Sequence, residues 1–394
     1  MADTVFLLGA GVNRGIRSLD GLRQPPLSTD FFQHALGGGR TATEAYRQKL
    51  APLFEYIARY WKLSLEDLQR QPFDLEACYT LLELQSREHR ARDNREELVR
   101  LAEIRFRLTA LLAEYLSDFE YADVLKDSFR RFSAFILAGK AAVLTFNYDT
   151  ILEAAIELAS GVNAAMPPSF RGGPPESGEV PEEELPYSHC NWNRPLAYGV
   201  RFDRVQLQRA GLTTLVPGAR FYAHPANAIY PTPFLKLHGS VNWFFNTGVP
   251  RFPFVERTQP PPNVGETVLY RPSWWFNEPP DLGGYILDPI LLTPGITKLL
   301  EQHAMIEAIW ERARTELAAC RRLIVGGYSF PPTDFHARRL FLEAFQDRSP
   351  DEVTVINPDT GVVQIVKDLC HFKRPVLACR DVDEFCSLLP GSLT

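Results

Sequence analysis

A chain of 394 residues, 45% of them hydrophobic, can bury a substantial core and is long for one plain α/β domain, so one domain with large insertions, or two domains, fits it. A net charge of −6 with basic residues dispersed among acids argues against stand-alone nucleic-acid binding, which needs a basic patch. The N-terminus lacks the positive region of a secretory signal, no apolar run approaches the ~18 residues needed to span a bilayer, and six scattered cysteines without a CxxC pair suit a reduced interior; no membrane association and a cytoplasmic location are expected.

In chain order, residues 4–8 (TVFLL) are a short apolar run ending at Gly9, the pattern of a strand buried on both faces of a parallel sheet. Residues 42–136 change to helical periodicity, rich in Leu, Glu, Arg and Ala, and predict an inserted helical layer. The sheet resumes at 141–146 (AAVLTF), followed by a polar turn and a helical stretch from Thr150 to Leu158. Residues 161–187, dense in Pro, Gly and Glu, read as a loop or linker insertion, and 250–280 as a second Pro-rich loop pinned by Trp274, Trp275 and Phe276. Beyond Asp288 a long helix near 295–319, the strand 322–325, a helix from about 334 and the strand 352–356 restore the strand–helix alternation. The expected fold class is α/β, a doubly wound, Rossmann-like, mostly parallel sheet spanning 1–394, interrupted by the helical insertion and the Pro-rich loops.

Four segments carry chemistry. Directly after the first strand, Gly9-Ala10-Gly11-Val12-Asn13-Arg14-Gly15 can bring the backbone close to a pyrophosphate with its N–H groups available to oxygen, although the spacing is not that of dehydrogenases; the bland alternative is a glycine turn needed for packing. Asn147 and Asp149 stand at the carboxyl end of a buried strand, where open α/β sheets hold ligands. The Asn147 amide suits a sugar hydroxyl or a positioned water, and Asp149 reads equally as a helix cap. His238 follows the apolar run 234–237 and precedes Gly239, which leaves room around an imidazole able to act as general base at neutral pH; a satisfied core histidine is the alternative. Finally, Gly327, Ser329 and Asn357 lie in polar turns after two later strands and could line a nucleotide, whereas Thr333 or Asp334 could cap the next helix and Asn357 could only shape a turn.

In this order the segments resemble the sirtuin family, and more closely the divergent sirtuin-like domains of bacterial antiphage defence. The matching residues are Gly9-Ala10-Gly11, Asn147-Tyr148-Asp149, His238-Gly239, Gly327-Tyr328-Ser329 and Ile356-Asn357. The chain departs from deacylating sirtuins in having no pair of CxxC motifs for a zinc module, so no metal is expected. Phe146 stands where glutamine is usual, and residues 25–31 (PPLSTDF) take the place of the usual Pro-Asp-Phe-Arg segment.

The resemblance implies NAD as substrate, hydrolysed to nicotinamide and ADP-ribose. Asn147, His238 and Asp149 would be catalytic, and Gly9, Ala10, Gly11, Asn13, Gly327, Ser329 and Asn357 would bind the cofactor-derived substrate. It also implies control by assembly, as a homo-oligomer or beside a HerA-type ATPase partner, and a role in defence through NAD depletion. The alternatives are an NAD-dependent deacylase, a non-catalytic NAD or ADP-ribose sensor, and a structural subunit.

Overall fold

The computed structural model describes residues 2–18, 21–38, 43–117, 119, 126–139, 141–159, 198–209, 212–219, 232–250, 263–270, 281–292, 304–331 and 334–389. Six short strands form one all-parallel sheet: β1 (Thr4–Leu8), β2 (Ala142–Thr145), β5 (Phe234–Lys236), β10 (Arg322–Gly326), β11 (Glu352–Ile356) and β12 (Leu377–Cys379), in the order β12-β11-β10-β1-β2-β5. β1, β2 and β5 are buried along their whole length, which is why they consist almost entirely of apolar and β-branched residues with no in-out alternation.

Helices flank this sheet. α7 (Asp127–Ala138) packs against α8 (Ile151–Ala159) and α12 (Val382–Ser387), while α9 (Ala304–Ala319) packs against α10 (Phe335–Ala344), which touches α11 (Gly361–Leu369). From β1 the strand order proceeds outward through β2 to β5 on one side and through β10 and β11 to β12 on the other, so right-handed crossovers place the two helix groups on opposite faces, as in a doubly wound, Rossmann-like fold. Phe6 of β1 lies edge-on to Phe132 and Phe135 of α7, and both of these meet Phe385 of α12, joining the sheet to one helical face.

Between β1 and β2 lie α1 (Phe31–Gly37), α2 (Glu44–Lys49), α3 (Ala51–Trp61), α4 (Leu65–Arg70), α5 (Leu75–Ala91) and α6 (Arg95–Ser117), ahead of α7. α1 begins before the region of helical periodicity. α4 starts at a capping box in which Ser64 and Asp67 each satisfy the other's backbone N–H.

A second sheet has no counterpart in the sequence reading. β4 (Leu212–Pro217), β3 (Arg204–Arg209), β7 (Thr267–Leu269), β6 (Gly239–Pro250), β9 (Tyr285–Leu291) and β8 (Asp281–Leu282) lie side by side in that order, antiparallel except for β3 with β7. Within the loop insertion expected over 250–280, the stretch between its Pro-rich parts 250–263 and 271–280 is corrected from loop to strand: Thr267–Leu269 pairs with both β3 and β6, with Val268 and Leu269 buried. The rest of that loop (251–262 and 271–280), the 161–187 linker and the first part of the helix expected near 295–319 lie outside the described residues. α6 packs on this second sheet, and Arg105 of α6 meets Asp288 of β9 in a buried ion pair at 3.6 Å. No helix of the described residues is long and apolar enough to cross a membrane.

Candidate functional site

The sheet order reverses between β1 and β10, and at such a switch point the loops leaving the carboxyl ends diverge and open a crevice. Both loops here begin with glycine, and they grip one another. The Gly9 N–H donates to the Gly326 carbonyl and the Gly11 N–H to the Gly327 carbonyl, each at 2.9 Å, and the Val12 N–H donates to the Gly9 carbonyl at 3.1 Å. A methyl group on Gly9 or Gly11 would come within 2.7 or 2.8 Å of the Gly327 oxygen, and one on Gly327, which sits at φ +61°, within 2.0 Å of the Val12 nitrogen. These glycines thus serve a close approach of two backbones. The N–H groups of Gly9, Gly11 and Val12 are committed to the main chain rather than left available to a ligand. This corrects the expectation of open N–H groups at those positions.

Asn13 ends the single 3₁₀ turn that follows Gly9 and is fully buried. Its Nδ2 donates to both carboxylate oxygens of Asp149 at 3.1 Å, and it lines neither of the cavities described below. It therefore supports Asp149. That carboxylate also caps α8, accepting the Ile151 N–H at 3.0 Å, so Asp149 is a cap and a cavity-lining residue at once. Burial pushes its carboxyl up from 3.8 to about 6, against the opposing pull of Lys236. Lys236, with no exposed surface, donates to Glu153 at 2.8 Å and to the Asp149 carbonyl, tying the end of β5 to the start of α8.

Asn147, on the turn between β2 and α8, is only 7% exposed. Its own N–H is held by Thr145 Oγ1 at 3.1 Å, while its side-chain oxygen Oδ1 has no hydrogen-bond partner among the described residues. A buried carbonyl oxygen left this way costs about 1–3 kcal/mol, so it marks a place for a ligand or water.

His238 is 4% exposed and follows β5. Its Nε2 lies 3.1 Å from Asp334 Oδ2. The Tyr328 hydroxyl donates to that same oxygen at 2.7 Å, and the other oxygen, Oδ1, caps α10 through the Ala337 N–H at 3.2 Å. Phe146 stands edge-on to the imidazole, centroids 4.7 Å apart, and stacks on Tyr328 at 4.1 Å, making an aromatic wall. Burial, and for Tyr328 also the neighbouring Asp334, pushes the hydroxyls of Tyr148 and Tyr328 well above the ordinary tyrosine range, so both are neutral. Gly239, at φ +78°, is required for a reason other than space around the imidazole: a methyl group there would fall 1.9 Å from the Ile290 carbonyl of β9.

These groups line a cavity of about 390 Å³ whose far wall comes from the helical layer and the segment before α1. Ala10, Asn147, Asp149, His238, Gly327 and Ser329 face it, with Asp334 and Tyr328. Asp74 and Glu76 at the start of α5 and Leu112 and Leu116 of α6 close the opposite side, and residues 26–29 with Phe31 complete the rim. A second cavity of about 690 Å³ shares Leu27, Gly327 and Ser329 with the first. It is lined by Gly11, Asn357 and the cations Arg14, Lys126 and Arg380, together with Asp381 and Asp383. Asn357 lines it, but its amide is engaged by the chain: Nδ2 donates to the Tyr328 carbonyl at 3.4 Å and Oδ1 accepts the Asp359 N–H at 2.9 Å. Gly9 is buried and faces neither cavity.

The structure thus brings Asn147, Asp149 and His238 to one cavity and places Ser329 and Gly327 at the join of the two. The residue that sequence reasoning left as a helix cap, Asp334, has its second oxygen on the histidine; a carboxylate following a turn that itself follows a buried strand was the available signal. Among the described residues no group of three His, Cys, Asp or Glu side chains is placed to hold a metal ion, and the five described cysteines are buried thiols. No protein-family model and no curated protein sequence matches the chain.

Proposed function

We propose that the chain is an NAD glycohydrolase that releases nicotinamide and ADP-ribose. The observation that carries this reading is the pair of joined cavities at the switch point, one holding an unsatisfied carboxamide oxygen and a carboxylate-held histidine, the other lined by Arg14, Lys126 and Arg380 together with Asp381 and Asp383. A dinucleotide has two unlike halves joined by a diphosphate, and the two cavities meet at Leu27, Gly327 and Ser329. The likeness of the motif order to sirtuin-like defence proteins supports the same substrate.

In the reaction the bond between ribose C1′ and the nicotinamide nitrogen breaks, its electron pair going to the neutral nicotinamide that leaves. An oxocarbenium-like C1′ then takes a water oxygen, and His238 accepts the proton that this water loses. Asn147 Oδ1 accepts a hydrogen bond from the water or from a ribose hydroxyl and so fixes the direction of attack. Asp149, ionised above about pH 6, places negative charge on the wall facing the developing cation. The aromatic wall of Phe146 and Tyr328 keeps bulk water out. A positioned base contributes roughly 10²–10⁴-fold, and losing an orienting group costs a comparable factor. Defence through NAD depletion, with activity governed by self-assembly or by a HerA-type ATPase, belongs to the same proposal.

The test is chromatography of NAD incubated with the purified protein, alone and with an acetylated peptide, for wild type, Asn147→Ala and His238→Ala. Nicotinamide and ADP-ribose formed without peptide, and lost in both variants, is the expected result. Products that require peptide would mean a deacylase, and unaltered NAD retained at stoichiometric amounts would mean a sensor; either overturns the proposal.

A further inference from the structure

We infer that Asp334 is a positioning residue for His238, one carboxylate that orients the imidazole with Oδ2 while Oδ1 fastens the start of α10; the catalytic part of this rests on the glycohydrolase reading. Three anchors from three elements converge on this fully buried group: the Tyr328 hydroxyl from the end of β10, the Ala337 N–H inside α10, and His238 Nε2 from the turn between β5 and β6. A cap alone needs one oxygen and works as well on the surface. Burying the whole carboxylate is costly unless each oxygen is matched, and here Oδ2 is matched by both the Tyr328 hydroxyl and an imidazole that faces the cavity.

The geometry also separates Asp334 from the other acids near His238. Asp149, Asp74 and Glu76 line the same cavity, and the Tyr148 and Tyr328 hydroxyls belong to rings beside it, but among the described residues Asp334 is the carboxylate at ion-pair distance, 3.1 Å. When His238 takes a proton from the attacking water, the imidazolium forms against a fixed negative charge, and the proton stays on the ring. The Tyr328 hydroxyl draws on the same Oδ2, so it moderates that charge. Removing the tyrosine hydroxyl and removing the carboxylate charge must therefore act on His238 in opposite directions, which a purely architectural role does not require.

The experiment compares full-length wild type, Asp334→Asn and Tyr328→Phe. Asparagine keeps an oxygen for the Ala337 N–H and loses the charge; phenylalanine keeps the ring that stacks on Phe146. The first readout is the NMR titration of the His238 ring, assigned with His238→Ala and measured without NAD. The second is kcat and KM for NAD across pH. The titration midpoint is expected to fall by about one unit or more in Asp334→Asn and to rise in Tyr328→Phe. Correspondingly, kcat falls about 10²-fold in Asp334→Asn with KM within about twofold, and the acidic limb of its pH profile moves to lower pH. An Asp334→Asn midpoint unmoved from wild type, or both variants shifting the same way, would overturn the inference. Should Asp334→Asn not fold, an unmoved midpoint in Tyr328→Phe overturns it alone. If wild type releases no nicotinamide the glycohydrolase reading fails, and the titration still decides whether Asp334 governs His238.

Discussion

Asp149→Asn is expected to make the protein more stable at neutral pH and less active. The Asp149 carboxyl is buried and pushed from 3.8 to about 6, chiefly by loss of water. A carboxyl raised in this way binds its proton more tightly in the folded chain than in the unfolded one. Its contribution to stability is therefore present in full below about pH 4 and is lost as pH rises through about 6. A shift of about two units at 1.36 kcal/mol each gives about 3 kcal/mol across that window.

Asparagine has the shape of the protonated acid. Its oxygen can keep the Ile151 N–H, and Asn13, whose Oδ1 is unpartnered, can turn its amide to accept from the new NH₂ group. The variant should match wild type near pH 4 and exceed it by up to about 3 kcal/mol at pH 7.5, or a few °C in melting temperature for a chain of this length. Scanning calorimetry of both proteins from pH 4 to 8 measures the difference, with NAD turnover at pH 7.5 alongside. A melting difference that is the same at every pH would refute the argument, because only a titrating group can produce the slope. Higher stability with lower activity is what a functional carboxylate held in a dry site should give.

In urea titrations, Gly327→Ala should cost more than about 4 kcal/mol, or else prevent soluble expression, since its methyl group would meet the Val12 backbone at 2.0 Å; Gly15→Ala, with open space around its Cβ, should stay within about 0.5 kcal/mol of wild type. Lys236→Met should cost about 3–5 kcal/mol by leaving Glu153 buried without its cation, whereas Lys236→Met combined with Glu153→Leu should recover most of that loss. Additive losses in this double-mutant cycle would show that the pair is not coupled.

How far the sequence reveals the molecule depends on which side of each element is buried. β1 and β11 were legible because strands of a parallel sheet are covered on both faces and read as apolar runs. The same reasoning fails for the second sheet. β3 and β4 carry a weaker, alternating signal on either side of Ala210 and Gly211, and β7 offers three strand residues inside a Pro-rich stretch. That Asn147, Asp149 and His238 gather at one cavity was legible because each follows a buried strand. The destination of the Asn13 amide and of the second Asp334 oxygen was not, since each depends on a partner far away in the chain. The glycines mislead in another way: a turn that lets two backbones touch and one that cradles a phosphate use the same residue, and only the neighbouring loop tells them apart.

The strand order also sets a schedule for making the site. Val5 of the central strand pairs with Ala142 on one side and with Leu323, 318 residues later, on the other. At ribosomal speeds of ~5–20 residues per second, that last neighbour is translated roughly 15–60 s after the first strand. Until then the Gly9–Gly11 turn has nothing to close against, so a nascent or prematurely terminated chain carries Asn147 and His238 without the Gly327 turn, the Asp334 carboxylate or the second cavity. Assembly of the cavity is thereby deferred to about the final fifth of synthesis by topology alone.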